Sequence, residues 1–517
     1  MSAAAPPANR LPLLLLAIAC VIAVAYAPPS SRFVGFDTSV YGAVAFSVAH
    51  GSALYQDVWD HKNPLHFYLA AATQMLFPGS VSALNALALL AVLSITLLLY
   101  AFVARWAGPL AGGLAALLFA CATPTLRPSF SPDLYIGLLA LVAFGLTVRG
   151  ARCRRARWLF LSGLVCGAAV GFKTSALLDC AAMACVGVYL SAAGKPRPAA
   201  RHWAAVVAAW VAGLVALPGA LAWHFWQVGA WQPFWDAVYV YNGLYVQAQT
   251  LTPRFIWDLL YQHLTLQLVN AACLTVPGLV TAVTVWHRPR SDADEAVVIA
   301  RAAAIWAAFG VLAALIGRRI GYLQYFWELF VPLAVLAGIG LARLFEGRTA
   351  FNGNPIRRVI PALLAASALL SLAPTARWSA TEWRDLLLNR PRTSVEREIG
   401  EYVAARTKPQ DRVFVWGMAP GVYFWSQRLP AARYVHCMPL VSQYAGARNV
   451  SDPYISLEEF GAALERNRPA YIIMPTDWEV GTQDAPVAPL AHLVAERYII
   501  DTKIGPYHLY RLREQAT

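Results

Sequence analysis

Residues 54–68 read LYQDVWDHKNPLHFY, a polar and aromatic stretch in a chain that is otherwise strongly apolar. With the nearby FDTSVY at 36–41, it gathers a group of ionisable side chains into one short interval: Asp37, Asp57, Asp60, His61, Lys62 and His66. Of the 517 residues, 58% are hydrophobic and only 13% are charged, whereas a soluble domain carries roughly 25% charged residues. The chain is therefore predicted to be a polytopic membrane protein, and this stretch is either an ordinary polar loop or a catalytic face held at the membrane surface.

Apolar runs of membrane-spanning length recur along the chain. A helix that crosses a bilayer needs roughly 20 mainly apolar residues, and about eleven runs approach this description. We place spans near 11–28, 83–104, 108–123, 132–149, 158–173, 175–192, 203–225, 266–287, 298–316, 324–344 and 357–374. These runs predict a membrane bundle of α-helices.

The loops between these spans alternate in charge, and this alternation predicts their orientation. Basic residues concentrate near 149–157, 195–201, 288–290 and 343–358. Because cytoplasmic loops carry an excess of Lys and Arg, these loops are expected to face the cytoplasm. The opposite set is expected to face outward: 29–82, 124–131, 226–265, 317–323 and the tail from 375. The net charge of +13 thus reflects membrane orientation rather than nucleic-acid binding.

The first apolar run admits two interpretations. Arg10, the run at 11–27 and its small-residue ending at Ala25 and Ala27 also resemble a signal peptide. We favour a retained helix, because the next polar segment then emerges directly from an anchored span. Cleavage after Ala27 would leave the later topology unchanged.

The first outer loop and the tail are both predicted to be folded. Apolar residues at helical spacing from 38 to 50 and from 64 to 77 predict two short interfacial helices, and Pro64 suits a helix start. The tail mixes helical stretches with short apolar runs at 412–417, 470–475 and 498–501, which indicates a small α/β domain. The chain is accordingly divided into a membrane domain, 1–374, and an outer domain, 375–517.

Two carboxylates lie where spans meet the outer face. Asp37 comes shortly after the first span, and Asp133 in SPDLY begins a later one. A fixed carboxylate can accept a proton from a hydroxyl nucleophile, and a charge at the edge of a span reads as functional by default. Asp133 would equally suit a helix start as a capping residue, so its functional and structural interpretations both stay open.

Cations at the outer side form a second group. Lys173 interrupts the apolar run CGAAVGFKTSALL, and the short loop GRRIGYLQYF carries Arg318, Arg319, Tyr322 and Tyr325. A cation at membrane depth is unfavourable when alone but useful against a lipid-linked phosphate, which Arg grips with paired hydrogen bonds and Lys meets as a point charge. The alternative is simple snorkelling of long basic side chains to the interface.

These motifs, in this order and on one side of the membrane, resemble the lipid-phosphosugar-dependent glycosyltransferases with the glycosyltransferase-C fold, such as the protein O-mannosyltransferases and the aminoarabinose transferase of lipid A. The first outer loop carries the match at Gly51, Leu54, Tyr55, Asp57, Trp59, Asp60, Lys62, Pro64 and Tyr68. The resemblance implies that Asp37 is the catalytic base or an acceptor-binding carboxylate. Many members have Asp-Glu where this chain has Asp37 and Thr38, so the second acid is missing, and residues 57–62 contain no obvious substitute.

The resemblance also implies a reaction. A polyprenyl-phosphate sugar would donate to an acceptor hydroxyl oriented by Asp37, with Asp133 assisting, while Lys173, Arg318, Arg319 and Tyr325 would hold the leaving phosphate. The substrate pocket would be shaped by one group of loop residues: Asp57, Asp60, His61, Lys62 and His66. A loop-closing ion pair between Asp57 and Lys62 is the structural alternative. A divalent cation would suit the carboxylates, and no organic cofactor is expected.

The acceptor is a glycan such as lipopolysaccharide, a lipid or a protein, and the predicted location is the bacterial inner membrane with the tail outside.

Two other classes of function compete. A transporter predicts internal repeats and polar residues at mid-depth, whereas the notable charges lie at one face. A non-catalytic envelope-assembly protein predicts that Asp37→Asn leaves function intact.

Overall fold

Long apolar helices make up most of the computed structural model, and four short strands lie near its carboxyl end. The structure describes residues 10–193, 200–247, 252–258, 261, 269–287, 294–316, 323–347, 356–390, 392–437, 439–440, 457–477 and 488–513. Within these ranges, the helices up to residue 258 are α1 (Leu11–Tyr26), α2 (Phe36–Ala49), α3 (Pro64–Leu76), α4 (Val81–Ala107), α5 (Pro109–Ala122), α6 (Pro132–Cys153), α7 (Ala156–Phe172), α8 (Leu177–Ala193), α9 (Ala200–Gln227), α10 (Trp231–Trp235), α11 (Tyr241–Gln247) and α12 (Pro253–Asp258).

The remaining described elements complete the membrane helices and form the tail. They are the helices α13 (Ala272–Thr284), α14 (Glu295–Ile316), α15 (Trp327–Phe345), α16 (Ile356–Leu387), α17 (Val395–Ala404), α18 (Gly421–Ser426), α19 (Leu457–Asn467) and α20 (Ala488–Arg497), and the strands β1 (Val413–Val415), β2 (Tyr471–Pro475), β3 (Tyr498–Ile504) and β4 (Tyr507–Leu512). The chain divides into two compact units. Unit 1 comprises Met1–Pro29, Ala86–Gly219 and Thr252–Arg384, and unit 2 comprises Ser30–Asn85, Ala220–Leu251 and Asp385–Thr517.

Unit 1 is a bundle of apolar helices. Among the described residues, eight helices are long and apolar enough to cross a membrane, and α1, α7 and α13 are shorter apolar helices. Each of the predicted spans coincides with one of these helices, so the prediction of a helical membrane bundle is confirmed, while the count of eleven spans stays a prediction. Small residues let the helices pack closely: a Cβ at Gly338 of α15 would lie 2.7 Å from the Cβ of Ala115 in α5.

Unit 2 contains the first outer loop. The two helices predicted there are present as α2 and α3. Helix α2 buries ten consecutive residues, Thr38–Ser47, whereas α3 ends with exposed apolar side chains at Met75 and Leu76. The buried α2 thus fixes the positions of the residues around its first turn.

The tail of unit 2 forms the predicted α/β domain. Its sheet has the order β1-β2-β4-β3, in which β1 and β2 are parallel and the other pairs are antiparallel. Strand β4 was not predicted. It follows β3 after a turn at Gly505, whose φ of +55° favours glycine. The predicted division at residue 375 falls inside α16, which continues to Leu387, and the tail elements begin after it.

Candidate active site

Asp133 and Lys173 form a buried ion pair in unit 1. Asp133 lies in the first turn of α6, and Lys173 directly follows α7, where extended backbone ends that helix. The Lys173 Nζ donates to Asp133 Oδ1 at 2.5 Å, with 10% and 3% of the two side chains exposed. The N-cap residue of α6 is Ser131, which makes no side-chain capping bond and whose hydroxyl donates to Asp133 Oδ2 at 3.3 Å. The pair is therefore held inside the bundle rather than at the solvent-facing edge that snorkelling requires.

Tyr325 completes the surroundings of this ammonium. The Lys173 Nζ lies 3.8 Å from the centroid of the Tyr325 ring, which is the geometry of a cation–π contact. Two of the predicted phosphate-binding residues, Arg318 and Arg319, lie outside the described residues, as does Tyr322. Among the predicted cations, Lys173 is thus the one whose surroundings the structure describes.

Two further buried carboxylates accompany the pair, and the sequence-based reasoning missed both. Glu328 in α15 accepts a hydrogen bond from Ser175 at 3.3 Å, and Asp179 in α8 accepts one from the Trp306 indole at 2.8 Å. Glu328 interacts electrostatically with Asp179, Asp133 and Lys173. Both could have been found in the sequence, because each acid interrupts an apolar run: Asp179 in LLDCAAM and Glu328 in FWELFVP. Ionisable residues within a membrane span are interpreted as functional by default.

Asp37 lies in the first turn of α2 in unit 2, and its side chain is exposed. The preceding Gly35 has a φ of +91°, which favours glycine and turns the chain into the helix. The next residue, Thr38, is buried, and its hydroxyl donates to the Gly35 carbonyl at 2.9 Å. Thr38 therefore contributes to the helix start and does not replace the second acid that the resemblance implies.

Asp60 is a second carboxylate whose charge interacts with that of Asp37, and the absence of a substitute for the second acid in residues 57–62 stays a prediction. Asp60 is buried, and its Oδ1 accepts from the Lys62 backbone N–H at 2.8 Å. Burial raises the pKa of Asp60, the Lys62 charge opposes this shift, and the nearby Asp37 charge adds to it. The two carboxylates therefore interact electrostatically, which their separation in the sequence did not reveal.

His61 and Lys62 lie beside this pair. The Lys62 Nζ lies 2.7 Å from His61 Nε2, and Asn242 of α11 donates to the His61 carbonyl at 2.7 Å. Helix α11 follows a π-helical segment, Asp236–Val240, an irregularity frequently found at functional sites. The turn that carries His61 and Lys62 is thus fixed by a second segment of unit 2.

Asp57 and His66, also predicted for the substrate pocket, differ in their surroundings. The Asp57 carboxylate accepts from the Ala53 backbone N–H at 2.8 Å and so closes the loop, but no ion pair between Asp57 and Lys62 exists among the described residues. Asp57 therefore closes the loop through a backbone N–H, and not through the ion pair with Lys62 that the structural alternative expected. His66 is fully buried in the core, with its ring centroid 4.4 Å from that of Tyr41.

His436 is a further residue at this place that was not predicted. It lies at the end of a tail segment, and its ring centroid is 5.3 Å from that of Phe36, the neighbour of Asp37. Burial, assisted by the Lys62 charge, lowers the pKa of His436 to about 3, so the ring is neutral at physiological pH. The contact joins residues 400 positions apart, so it depends on the fold.

Within the part of the chain that the structure describes, no group of three or more His, Cys, Asp or Glu side chains is arranged to hold a metal ion. The suggested divalent cation stays a prediction.

Comparisons with known proteins give matches in sequence and in fold. Residues 61–226 match the family model of dolichyl-phosphate-mannose-protein mannosyltransferase. ArnT from Cupriavidus metallidurans, solved with undecaprenyl phosphate bound, matches with a TM-score of 0.62 and 13% identity over 97% of this chain and 98% of that one. The archaeal oligosaccharyltransferase AglB from Archaeoglobus fulgidus, solved with an inhibitory peptide and a dolichol-phosphate, matches with a TM-score of 0.55 and 13% identity over 98% of this chain and 75% of that one. A sequence search of curated proteins finds no match.

These matches agree with the resemblance stated from the sequence: the chain has the fold of ArnT and AglB, and residues 61–226 match a mannosyltransferase family model. The matched range of the family model includes Asp133 and Lys173 and lies beyond Asp37. The chain is a multi-pass membrane protein. The roles of individual residues stay predictions.

Proposed function

We propose that this protein transfers a sugar from a polyprenyl-phosphate donor to an acceptor of the cell envelope, at the outer face of a bacterial inner membrane. The acceptor is a lipopolysaccharide, another glycan, a lipid or a protein, and the tail of unit 2 lies on the outer side. The observation that carries the proposal is the match of almost the whole chain to the fold of ArnT, which was solved with undecaprenyl phosphate bound.

The buried cation of unit 1 suits the donor. Lys173 is an ammonium inside an apolar bundle, with one hydrogen bond to Asp133 and a contact with the Tyr325 ring. An ammonium is a compact positive charge, and a positive charge of this kind suits a phosphate oxygen. Fixed cations aimed at developing negative charge lower the barrier to departure of a phosphate group.

The exposed carboxylate of unit 2 suits the acceptor. Asp37 would take the proton from the acceptor hydroxyl as its oxygen forms a bond to the anomeric carbon. The bond between that carbon and the phosphate oxygen breaks, and the lipid phosphate leaves with the electron pair. A single displacement of this kind inverts the anomeric centre.

The test is mass spectrometry of envelope glycans from a strain that lacks the gene, complemented with the wild-type protein or with Asp37→Asn at equal expression. We expect one sugar mass to be absent from the null strain and from the Asp37→Asn strain. Asp411→Asn is the matched control, because Asp411 is another carboxylate of unit 2 that accepts only a local backbone bond, from Lys408 at 2.7 Å.

Each outcome has a defined meaning. If Asp37→Asn restores every glycan that the wild type restores, Asp37 is not the base. If the null strain loses no glycan, the transferase proposal fails, and a transporter or an assembly protein becomes the better explanation. A purified-protein assay with lipid-monophosphate and lipid-diphosphate sugars then identifies the donor class.

A further inference from the structure

Unit 2 contains a polar cavity that lies apart from Asp37. Its volume is about 370 Å³, within the range of small-ligand pockets. Three segments line it: the end of α2 with the loop after it, residues 429–434 of the tail, and helix α19. His50 follows the last residue of α2, and the rise of about 1.5 Å per residue puts it roughly 20 Å from Asp37 at the other end. Asp37 is not among the lining residues, so the cavity is distinct from the place of that carboxylate.

Helix α19 presents one face to the cavity. The lining residues on this helix are Glu459, Phe460, Ala463, Arg466 and Asn467. Their spacing of three, four and seven positions places them on one side of an α-helix. Ala463 is small and leaves space, while an acid, a guanidinium and an amide surround it.

The cavity offers guanidinium groups to a ligand. Arg412 donates one bond, from Nη1 to the Pro430 carbonyl at 2.7 Å, and its other donors make no hydrogen bond with described residues. Arg466 is exposed and makes neither a hydrogen bond nor an ion pair within the described part of the chain. Arg433 also lines the cavity, with its guanidinium 5.0 Å from the Tyr434 ring centroid. Guanidinium groups bind carboxylates and phosphates with two parallel hydrogen bonds.

The same cavity carries acceptors for hydroxyl groups. Asp57 uses one carboxylate oxygen for the Ala53 N–H, and Glu459 and Gln56 add further oxygen acceptors. Three Arg against Asp57 and Glu459 leave a formal charge of +1 on the lining, before His50 is counted. A ligand that fits must therefore combine a negative group with several hydroxyl donors.

We propose that this cavity binds a saccharide that carries an acidic group, a phosphate or a carboxylate. Arg466 and Arg412 hold the acidic group, and the carboxylates and amides of the wall accept bonds from the hydroxyls. Only the cavity's biological role rests on the proposed function: it would hold a part of the acceptor glycan remote from the reacting hydroxyl. Binding itself can be tested independently of transfer.

The experiment is titration calorimetry on the full-length protein in detergent. The probes are an oligogalacturonate trimer, a phosphorylated trisaccharide, a neutral trisaccharide and inorganic phosphate. We expect at least one acidic saccharide to bind tenfold or more tightly than the neutral one, and the two acidic probes distinguish carboxylate from phosphate recognition. Arg466→Gln should weaken binding about tenfold, the effect of losing roughly 1.4 kcal/mol. Ala463→Phe should abolish it by filling the cavity without changing charge.

Arg497→Gln is the control, because Arg497 is an exposed guanidinium of unit 2 that does not line the cavity. It should bind as the wild type does, and so should Asp37→Asn. Equal binding of neutral and acidic trisaccharides, binding of inorganic phosphate alone, or unchanged affinity in both Arg466→Gln and Ala463→Phe would overturn the proposal. Because Asp37→Asn tests transfer and leaves the cavity intact, failure of this inference is distinguishable from failure of the proposed function.

Discussion

Removing the charges of the Asp133–Lys173 pair one at a time and then together separates its structural role from its chemical role. At 2.5 Å, an effective dielectric constant of about 20 gives a gross attraction of roughly 7 kcal/mol, which desolvation of both groups largely offsets. Breaking a buried pair costs more than the pair contributes, because one charge is then left uncompensated. We expect Lys173→Met and Asp133→Asn each to destabilise the protein by about 3–5 kcal/mol.

The double variant should behave differently. With both charges removed, no uncompensated member of the pair remains, and the stability should return to within roughly 1–2 kcal/mol of the wild type. Transfer activity should not return, because the cation that meets the lipid phosphate is absent. The assays are thermal unfolding in detergent and sugar transfer from the lipid-linked donor.

Two results would refute this reasoning. If the effects of the single variants simply add in the double variant, the two side chains are not energetically coupled. If the folded double variant transfers sugar at the wild-type rate, the pair is structural, and Lys173 does not serve the donor phosphate. Arg343 and Asp294 form another ion pair in unit 1, and neutralising that pair is the matched control for transfer activity.

Three further predictions concern the other buried groups. Because the pKa of His436 is lowered in the folded protein, the unfolded chain binds the proton more readily, and the stability that this group contributes above about pH 6.5 is lost as the pH falls. Between pH 7 and pH 5 the loss is roughly 2 kcal/mol. His436→Gln should remove this loss from the pH dependence of the unfolding temperature. Glu328→Gln keeps the acceptor for Ser175 and should retain most of the stability. Glu328→Ala should lose about 1–3 kcal/mol of stability in the same unfolding assay. Equal losses in the two variants would contradict a hydrogen-bonding role for Glu328. Thr38→Glu creates the Asp-Glu order that the resemblance implies. It should destabilise the protein by about 1–3 kcal/mol, because it places a carboxylate where a buried hydroxyl donates to the Gly35 carbonyl. An unchanged unfolding temperature would show that the position tolerates an acid.

Much of unit 1 could be predicted because its signals are local. Each span is a continuous apolar run, and Asp133 and Lys173 stood out as charges at the edges of such runs. Their pairing joins residues 40 positions apart, which no local pattern specifies. Glu328 and Asp179 could have been found by the same rule, since each interrupts an apolar run.

The surroundings of Asp37 could not be predicted, because they are assembled from distant segments. His436 contacts Phe36, although the two residues are 400 positions apart in the sequence. Asn242, from another segment of unit 2, donates to the His61 carbonyl. Strand β4 was missed for a related reason: Tyr507–Leu512 alternates polar and apolar residues only weakly, and its place between β2 and β3 depends on the sheet. Sheet pairing compensates for the weak local preference.

The missing second acid shows why a motif should be compared in space as well as in sequence. A residue beside Asp37 in the chain projects from the next position of a helix, and here that position is buried and occupied by Thr38. A carboxylate elsewhere in the chain can also interact with the charge of Asp37. Asp60, in the loop that carries Lys62, does so. Because the interaction depends on distance and burial rather than on adjacency, a chain that lacks the Asp-Glu pair can still place two carboxylates together.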